Sequence, residues 1–136
     1  MGQNTDTLKQ GYEAFGNGDL EGAMENFHDD IRWEGSESTK IPGNGVHEGK
    51  EAVGQSFAET VQAYDKFTVE PDEFIEDGDT VVALGHGEIA KGDRSEKVPF
   101  VHIWRFEGDK IKRAQLLTDT SEVLKALGDG GSDDDD

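Results

Sequence analysis

The sequence predicts an α+β fold in which helices pack on one face of a curved antiparallel sheet. Two observations support this fold class. Apolar residues recur at helical spacing over most of the first half of the chain, and they alternate at strand spacing after residue 64. The predicted order is α-α-β-α-β-β-β-β with a short last helix, and this grouping of helices before strands is typical of α+β proteins.

Three helices are predicted in the N-terminal half. The first covers residues 5–16, and the second begins at Asp19, a preferred N-cap residue. The third runs from about residue 50 to residue 64. The apolar faces of these helices are formed by Leu8, Tyr12, Phe15, Leu20, Ala23, Met24, Phe27, Val53, Phe57, Val61 and Tyr64.

A short strand and a loop separate the second helix from the third. Ile31 and Trp33 predict a strand over residues 31–33. Residues 35–49 contain several glycines and a proline, so we expect a mobile loop there.

Strands are predicted in the C-terminal half, at 67–75, 81–90 and in a hairpin over residues 98–119. Pro71 indicates an edge or a bulge in the first of them. Residues 91–96 are predicted as an exposed turn. Thr120 or Ser121 then begins the last helix.

The closing hairpin carries two unexpected polar residues, His102 and Asp119. Strand alternation places His102 on the same face as Trp104, among apolar neighbours. If Glu107 pairs with Lys110, Asp119 faces that side as well unless a bulge intervenes, ~13 Å along the strand from His102. These side chains would then mark two levels of one cavity, because they are too far apart for a direct hydrogen bond.

The charge of the chain is strongly negative. Its 31 Asp and Glu outnumber 13 Lys and Arg, for a net charge of −18. Such a surface repels nucleic acid and anionic membranes, so we expect neither as a partner. Adaptation to high salt is the explanation that we favour, since dense carboxylates are then hydrated and screened, and an acidic face for a partner protein is the alternative.

The bulk composition predicts one domain over residues 1–127, followed by a disordered acidic tail over residues 128–136. No apolar run is long enough to cross a membrane, and the N-terminus lacks the pattern of a signal peptide. There is no cysteine. We therefore expect a cytoplasmic protein without disulfides.

Four motifs in order resemble the SnoaL-like, ketosteroid isomerase-related branch of the NTF2-like superfamily. They are YEAFGNGDLEGAMENFHDDIRWE, VHEGKEAV, FIEDGDTVVALG and VHIWRFEGDKIKRAQLLTDT, which together cover residues 8 to about 125. The resemblance implies a cone-shaped α+β barrel with a deep apolar pocket for a small apolar molecule, no cofactor, and usually a homodimer. Fold alone does not choose among the functions of such proteins.

The resemblance also suggests roles for individual residues. Asp119 matches an acid or base of the family's cyclases, and a helix N-cap is the alternative role. His102 matches the position of the protonated aspartate that donates to the substrate oxygen in ketosteroid isomerase, a worked example of pKa tuning, and a buried structural histidine is its alternative. Tyr12 matches the tyrosine that supports the same oxyanion hole. The isomerase's general base falls on Gly35, which excludes a literal steroid isomerase.

Further residues are candidates for the pocket. Trp33, Phe57 and Trp104 would form its apolar walls, and His47 would lie at its mouth in the glycine-rich loop. Most aromatic residues at such spacing are simply core. The sequence contains no metal-ligand triad of suitable spacing and no glycine-rich phosphate loop, so no metal and no cofactor are predicted.

Three functions remain open from the sequence. The first is a cofactor-independent isomerase, cyclase or dehydratase acting on an apolar carbonyl compound, with Asp119 moving a proton and His102 or Tyr12 stabilising oxyanion charge. The second is a non-catalytic protein that binds a hydrophobic ligand. The third is a dimerisation domain with a vestigial pocket.

Overall fold

The computed structural model describes residues 2–35, 41 and 45–128. The helices pack on a strongly curled half-barrel sheet, so the predicted α+β class is confirmed. The helices are α1 (Gln3–Gly16), α2 (Leu20–Ala23), α3 (Lys50–Ala63) and α4 (Thr120–Leu127). The strands are β1 (Phe27–Glu34), β2 (Val46–Glu48), β3 (Lys66–Phe67), β4 (Glu70–Asp77), β5 (Thr80–Lys91), β6 (Arg94–Glu107) and β7 (Lys110–Thr118).

The sheet has the order β2-β1-β7-β6-β5-β3, with β4 pairing separately with β5. Its neighbours are antiparallel except β1 and β7, which are parallel. The predicted antiparallel sheet therefore contains one parallel pair. These two strands are far apart in sequence, so no hairpin turn forces them to run in opposite directions.

The second helix is shorter than its apolar pattern predicts. It ends at Ala23, and Phe27 instead begins β1 opposite Ile111 of β7. Helical spacing over so few residues cannot distinguish a helix from a turn followed by a strand. As a result β1 is longer than the predicted strand at residues 31–33.

Two predicted loops are partly strand. Val46–Glu48 forms β2 at the sheet edge, and the predicted exposed turn at 91–96 is reduced to two residues between β5 and β6. The rest of the predicted mobile loop, residues 36–40 and 42–44, lies outside the described residues. The same holds for residues 129–136 of the predicted disordered tail.

The β6–β7 hairpin differs from the predicted register by one residue. Next to its turn the two strands pair as expected, but the register shifts between Arg105 and Phe106. His102 therefore lies opposite Leu116 rather than Gln115. A bulge of this kind adds one residue to one strand and reverses the facing of everything beyond it.

The inner face of the sheet and the helices enclose the hydrophobic core. One cluster of buried side chains lies between α1, α3 and the sheet, and a second lies beneath α4. Across the residues that the structure describes, no helix is both long enough and apolar enough to cross a membrane.

The outer face of the sheet is also apolar at its centre. In the described chain four large hydrophobic side chains are strongly exposed, and three of them, Val46, Ile75 and Leu117, pair with residues of this face. Leu117 also borders the cavity described below. Strand pairing groups them with half-buried neighbours. We call this set the outer apolar face; its members are Val46, Ile75, Val82, Leu84, Val101, Ile103 and Leu117.

Candidate functional site

A cavity of about 220 Å³ lies between the helices and the inner face of the sheet. Its walls are mainly aromatic and aliphatic, and it connects the two core clusters. Of the predicted pocket residues, the five that line this cavity are Tyr12, Trp33, Phe57, His102 and Trp104.

Three of these side chains form a hydrogen-bonded chain. The Trp104 indole donates from Nε1 to the hydroxyl oxygen of Tyr12 at 3.0 Å. That hydroxyl oxygen lies 2.7 Å from Nδ1 of His102. The sequence predicts all three residues at the pocket, but the hydrogen bonds between them depend on how α1 crosses β6.

Local structure explains this convergence. Trp104 and His102 are two residues apart in β6, so both point to the inner face. Tyr12 is on the side of α1 that packs against the core. The His102 ring stacks on Phe100, with centroids 4.0 Å apart, and lies nearly parallel to the Tyr12 ring, at 6°. Aromatic packing therefore fixes the plane of the imidazole.

The two titratable groups among these hydrogen-bonded side chains, His102 and Tyr12, are neutral near pH 7. Burial lowers the pKa of His102 to about 3. Burial also raises the pKa of Tyr12 well above its ordinary value, and the hydrogen bond from Trp104 offsets this only in part. Desolvation disfavours the charged form of each group, so the cavity holds a neutral imidazole and a neutral phenol.

The donors and acceptors at the Tyr12 hydroxyl assign the tautomer of His102. The indole only donates, and neutral Tyr12 has one proton to give, so the hydroxyl donates to Nδ1. A neutral imidazole that accepts at Nδ1 carries its proton on Nε2. Within the described chain Nε2 has no hydrogen-bond partner. His102 thus supplies the cavity with a free N–H donor.

Asp119 does not line the cavity. It is exposed between β7 and α4, and its carboxylate accepts from the backbone N–H of Glu122 at 3.4 Å. Its backbone carbonyl accepts from the same N–H and from that of Val123. The expectation that it shares a face with His102 fails because of the β6–β7 bulge, and the helix-capping alternative describes its contacts. Its acid–base role stays a prediction.

His47 is also placed differently from the expectation. It belongs to β2, directly opposite Trp33 at the edge of the sheet, and it is not among the cavity-lining residues. The predicted role at the pocket mouth stays a prediction.

The position expected for a general base carries no carboxylate. Gly35 lines the cavity, but the side chain of the preceding Glu34 belongs to the outer side of the sheet. There it forms ion pairs with Arg113 at 2.9 Å and Arg32 at 2.7 Å. Hydrogen bonds from Arg113 and Arg32 hold the pKa of Glu34 below its usual value despite some desolvation. Glu34 is therefore an anion that is ion-paired on the outer side of the sheet and does not reach the cavity.

The chemistry of the lining is that of a neutral binding site. None of the described lining residues is Asp, Glu, Lys or Arg. Among the residues with assigned positions, no group of three or more His, Asp or Glu side chains is arranged to hold a metal ion.

Some lining residues have no obvious signal in the sequence. Tyr64, Phe67 and Val123 come from the second core cluster and extend the cavity toward α4. Asn26, between α2 and β1, adds a polar side chain. Helical spacing marks Tyr64 as buried, but nothing local distinguishes a core residue from one that borders a cavity.

Comparison with known proteins agrees with this fold. The family model described as SnoaL-like domain matches residues 8–114. No curated protein matches the sequence. An NTF2-like protein of unknown function from Burkholderia pseudomallei K96243 is 32% identical, with a TM-score of 0.85, and the match covers 93% of this chain and 98% of that chain.

Two other solved structures are similar. TerC, co-crystallised with polyporic acid, is 26% identical with a TM-score of 0.85, over 92% of this chain and 98% of that chain. An NTF2-like protein from Burkholderia thailandensis E264 is 22% identical with a TM-score of 0.83, over 93% of this chain and 98% of that chain. At that identity the likeness shows the fold alone.

Proposed function

Because the chain belongs to the SnoaL-like domain family, we propose that it binds a small, uncharged and mainly apolar molecule in the cavity behind its sheet. The observation that carries the proposal is the imidazole of His102. In an aromatic cavity it keeps one nitrogen, Nε2, without a partner in the described chain. Buried polar groups are nearly always hydrogen-bonded, so a ligand atom is the natural partner.

The size of the cavity limits the ligand. An engineered apolar cavity of about 150 Å³ binds benzene. The present cavity, at about 220 Å³, is larger by roughly half. A molecule with about two fused rings is therefore the size that we propose.

The charge of the site supports a neutral ligand. No described lining residue carries a formal charge, and the whole chain has a net charge of −18. An anion would lose its hydration without gaining a cationic partner, and the surrounding potential would repel it. A cation would be attracted to the surface but would find no carboxylate inside.

One relative gives independent support for a small-molecule site. TerC, which is 26% identical over 92% of this chain, was crystallised together with polyporic acid. We extend from it only that a similar protein was crystallised with a small organic molecule.

The proposal is tested by titrating the protein with α-tetralone, a neutral bicyclic ketone, and following tryptophan fluorescence. The sequence has two tryptophans, and both line the cavity, so the signal reports on this site. We expect a saturable change. Val69→Phe, which adds volume at the cavity wall, should weaken binding by about tenfold.

A matched control is available on α3. Val61 is 43% exposed and does not line the cavity, so Val61→Phe should leave the titration unchanged. The proposal fails if α-tetralone gives no saturable change, or if the two phenylalanine variants bind equally well.

A second candidate is a cofactor-independent enzyme of the isomerase, cyclase or dehydratase type. The N–H of His102 favours it, because a neutral donor in a water-poor cavity stabilises a developing oxyanion. Asp119 would have to supply proton transfer from outside the described lining. This geometry supports binding better than catalysis.

The enzymatic candidate is tested by deuterium exchange at the α-carbon of α-tetralone in D₂O, measured by mass spectrometry. If Asp119 transfers the proton, Asp119→Asn should abolish exchange without unfolding the protein. Asp19→Asn is the matched control, because Asp19 also caps a helix but lies at α2. Exchange no faster than in buffer would leave only the binding function.

A further inference from the structure

We infer that Trp104, acting through Tyr12, fixes which nitrogen of His102 carries the proton and so makes the cavity selective for ligands that present a hydrogen-bond acceptor. The inference rests on the proposed function, because it concerns the selectivity of the same cavity. His102 is the residue that would contact the ligand. Trp104 and Tyr12 are positioning residues.

The first step is the bond between Trp104 and Tyr12. An indole N–H is a donor only, and Nε1 lies 3.0 Å from the Tyr12 hydroxyl oxygen. The hydroxyl must therefore accept from Trp104, and its own hydrogen cannot point toward the indole.

The second step is the bond between Tyr12 and His102. Nδ1, at 2.7 Å, is the only other partner of the Tyr12 hydroxyl in the described structure. If Nδ1 were protonated, the hydroxyl would receive two donors and its own hydrogen would be buried without an acceptor. A buried donor without an acceptor is unfavourable, so the arrangement in which Tyr12 donates to Nδ1 is favoured.

The third step is the consequence for the free nitrogen. With Nδ1 accepting, Nε2 carries the proton and is a donor. Stacking on Phe100 holds the ring plane, and the low pKa of His102 keeps the ring singly protonated near neutral pH. The site then presents a donor of fixed identity.

A fixed donor discriminates between ligands of equal shape. A ketone or quinone oxygen completes the hydrogen bond, whereas a group that can only donate, such as an indole N–H, meets another donor at the same point. The net value of one hydrogen bond, about 0.5–1.5 kcal/mol, corresponds to a preference of about 2–10-fold. The inferred ligand class is therefore neutral bicyclic carbonyl compounds.

The tautomer is tested first without any ligand. Long-range ¹H–¹⁵N NMR at pH 7.5 distinguishes Nε2–H from Nδ1–H, and His102→Phe identifies the His102 signals among those of the four histidines. We expect the Nε2–H form alone in the unaltered protein. Trp104→Phe and Tyr12→Phe should each produce a mixture of both forms.

Two matched controls test the hydrogen-bonded series from Trp104 through Tyr12 to His102, which we call the relay. They separate its effect on the tautomer from a general disturbance of the cavity. Trp33 and Tyr64 line the same cavity, and neither makes a side-chain hydrogen bond within the described residues. Trp33→Phe and Tyr64→Phe should keep the Nε2–H form. A purely structural role for Trp104 would not change the tautomer either.

Selectivity is tested next by calorimetry with three probes: α-tetralone, an acceptor; indole, a donor; and tetralin, which is neither. We expect affinity in the order α-tetralone, tetralin, indole. Trp104→Phe should reduce the differences in affinity among the three probes. Trp33→Phe should preserve these differences even if all affinities fall.

The results distinguish the two proposals. If no probe binds but the tautomer is fixed by Trp104 and Tyr12, the proposed function fails while the relay stands. If probes bind but the tautomer is Nδ1–H, or is unaffected by Trp104→Phe and Tyr12→Phe, the relay is overturned and the binding function stands. Equal affinity for α-tetralone and indole would overturn the inferred selectivity.

Discussion

His102 shows how one polar side chain is accommodated among aromatic rings. It stacks on Phe100, accepts from Tyr12, and leaves its second nitrogen to the cavity. The sequence identifies it as unusual because it interrupts an apolar strand face. Its partners are not visible in the sequence, because Tyr12 is 90 residues away and reaches it only when α1 crosses β6.

The pKa of His102 predicts a pH dependence of stability. In the unfolded chain its ordinary pKa is 6.5, and burial lowers it to about 3 in the folded protein. The unfolded state therefore binds more protons between these values, and the contribution of His102 is fully present above pH 6.5 and lost as pH falls toward 3. The slope is at most about 1.4 kcal/mol per pH unit.

Urea unfolding between pH 3 and pH 7 measures this effect against a background of many carboxylates. His102→Phe should have a flatter dependence of the free energy of unfolding on pH than the unaltered protein. His28→Phe, which removes a histidine outside the cavity, should keep the original slope. Parallel curves for the unaltered protein and His102→Phe would contradict the prediction.

At the scale of elements, α1 is capped by a residue from another element. Its N-cap residue, Gly2, has no side chain to offer. Instead Glu76 of β4 accepts from both the backbone N–H and the hydroxyl of Thr5, at 3.0 Å and 2.5 Å. A Cβ at residue 2 would collide with the Glu76 carboxylate, so glycine leaves the space that this cap needs. The negative charge also suits a helix N-terminus.

We predict that Glu76→Ala lowers the free energy of unfolding by about 1–2 kcal/mol, because a buried hydroxyl and a helix N–H lose their acceptor. Glu73→Ala is the matched control, since Glu73 is an exposed carboxylate on the same strand. Chemical denaturation of both variants measures the difference. Equal stability of the two would show that the cap contributes nothing.

The elements were predictable to different degrees. Long periodic segments such as α1, α3 and β5 follow the sequence pattern within a few residues. The end of α2 and the register of β6 against β7 do not, because a single turn or a one-residue bulge leaves no periodic signal. That bulge is the reason that Asp119 does not share a face with His102 in the structure.

At the scale of the whole molecule, the acidic surface and the apolar site are separate features. The chain carries a net charge of −18, yet no described lining residue of the cavity is charged. We propose that the acidic surface is an adaptation to high salt, where counterions screen the repulsion among carboxylates.

This proposal predicts a melting temperature that rises steeply between low and molar KCl, because screening removes the repulsion that opposes the compact state. Calorimetry measures it. Sucrose at matched osmolality is the control, since it favours burial without screening charge. A melting temperature independent of KCl would contradict the proposal.

The outer apolar face defined above is the second whole-molecule feature. Charged residues lie at two sides of it: Arg105 and the Arg113–Glu34 ion pair at one side, and Glu70 and Asp72, both beside His86, at the other. If two copies pack face to face about a two-fold axis in the contact plane, the arginines of one copy can lie against the carboxylates of the other. We propose that this face joins two copies of the chain, which would cover the exposed apolar side chains.

The corresponding prediction concerns Ile103, at the centre of that face. Ile103→Lys should convert a dimer to a monomer in size-exclusion chromatography with light scattering, because it buries two uncompensated charges in the contact. Val61→Lys is the control, since Val61 is an exposed apolar residue on α3 rather than on the sheet. A monomeric unaltered protein, or a dimeric Ile103→Lys variant, would refute the proposal.

The sequence by itself determined the fold class, the amphipathic faces, the uncharged aromatic wall and the presence of His102 within it. These properties depend on periodicity and composition, which can be read from residues close together in the sequence. Only the tertiary structure decided which nitrogen of His102 is free, that Asp119 caps a helix, and that Glu34 faces away from the cavity. These outcomes depend on a one-residue bulge and on contacts between elements far apart in the chain, where a shift of one residue reverses the direction of a side chain.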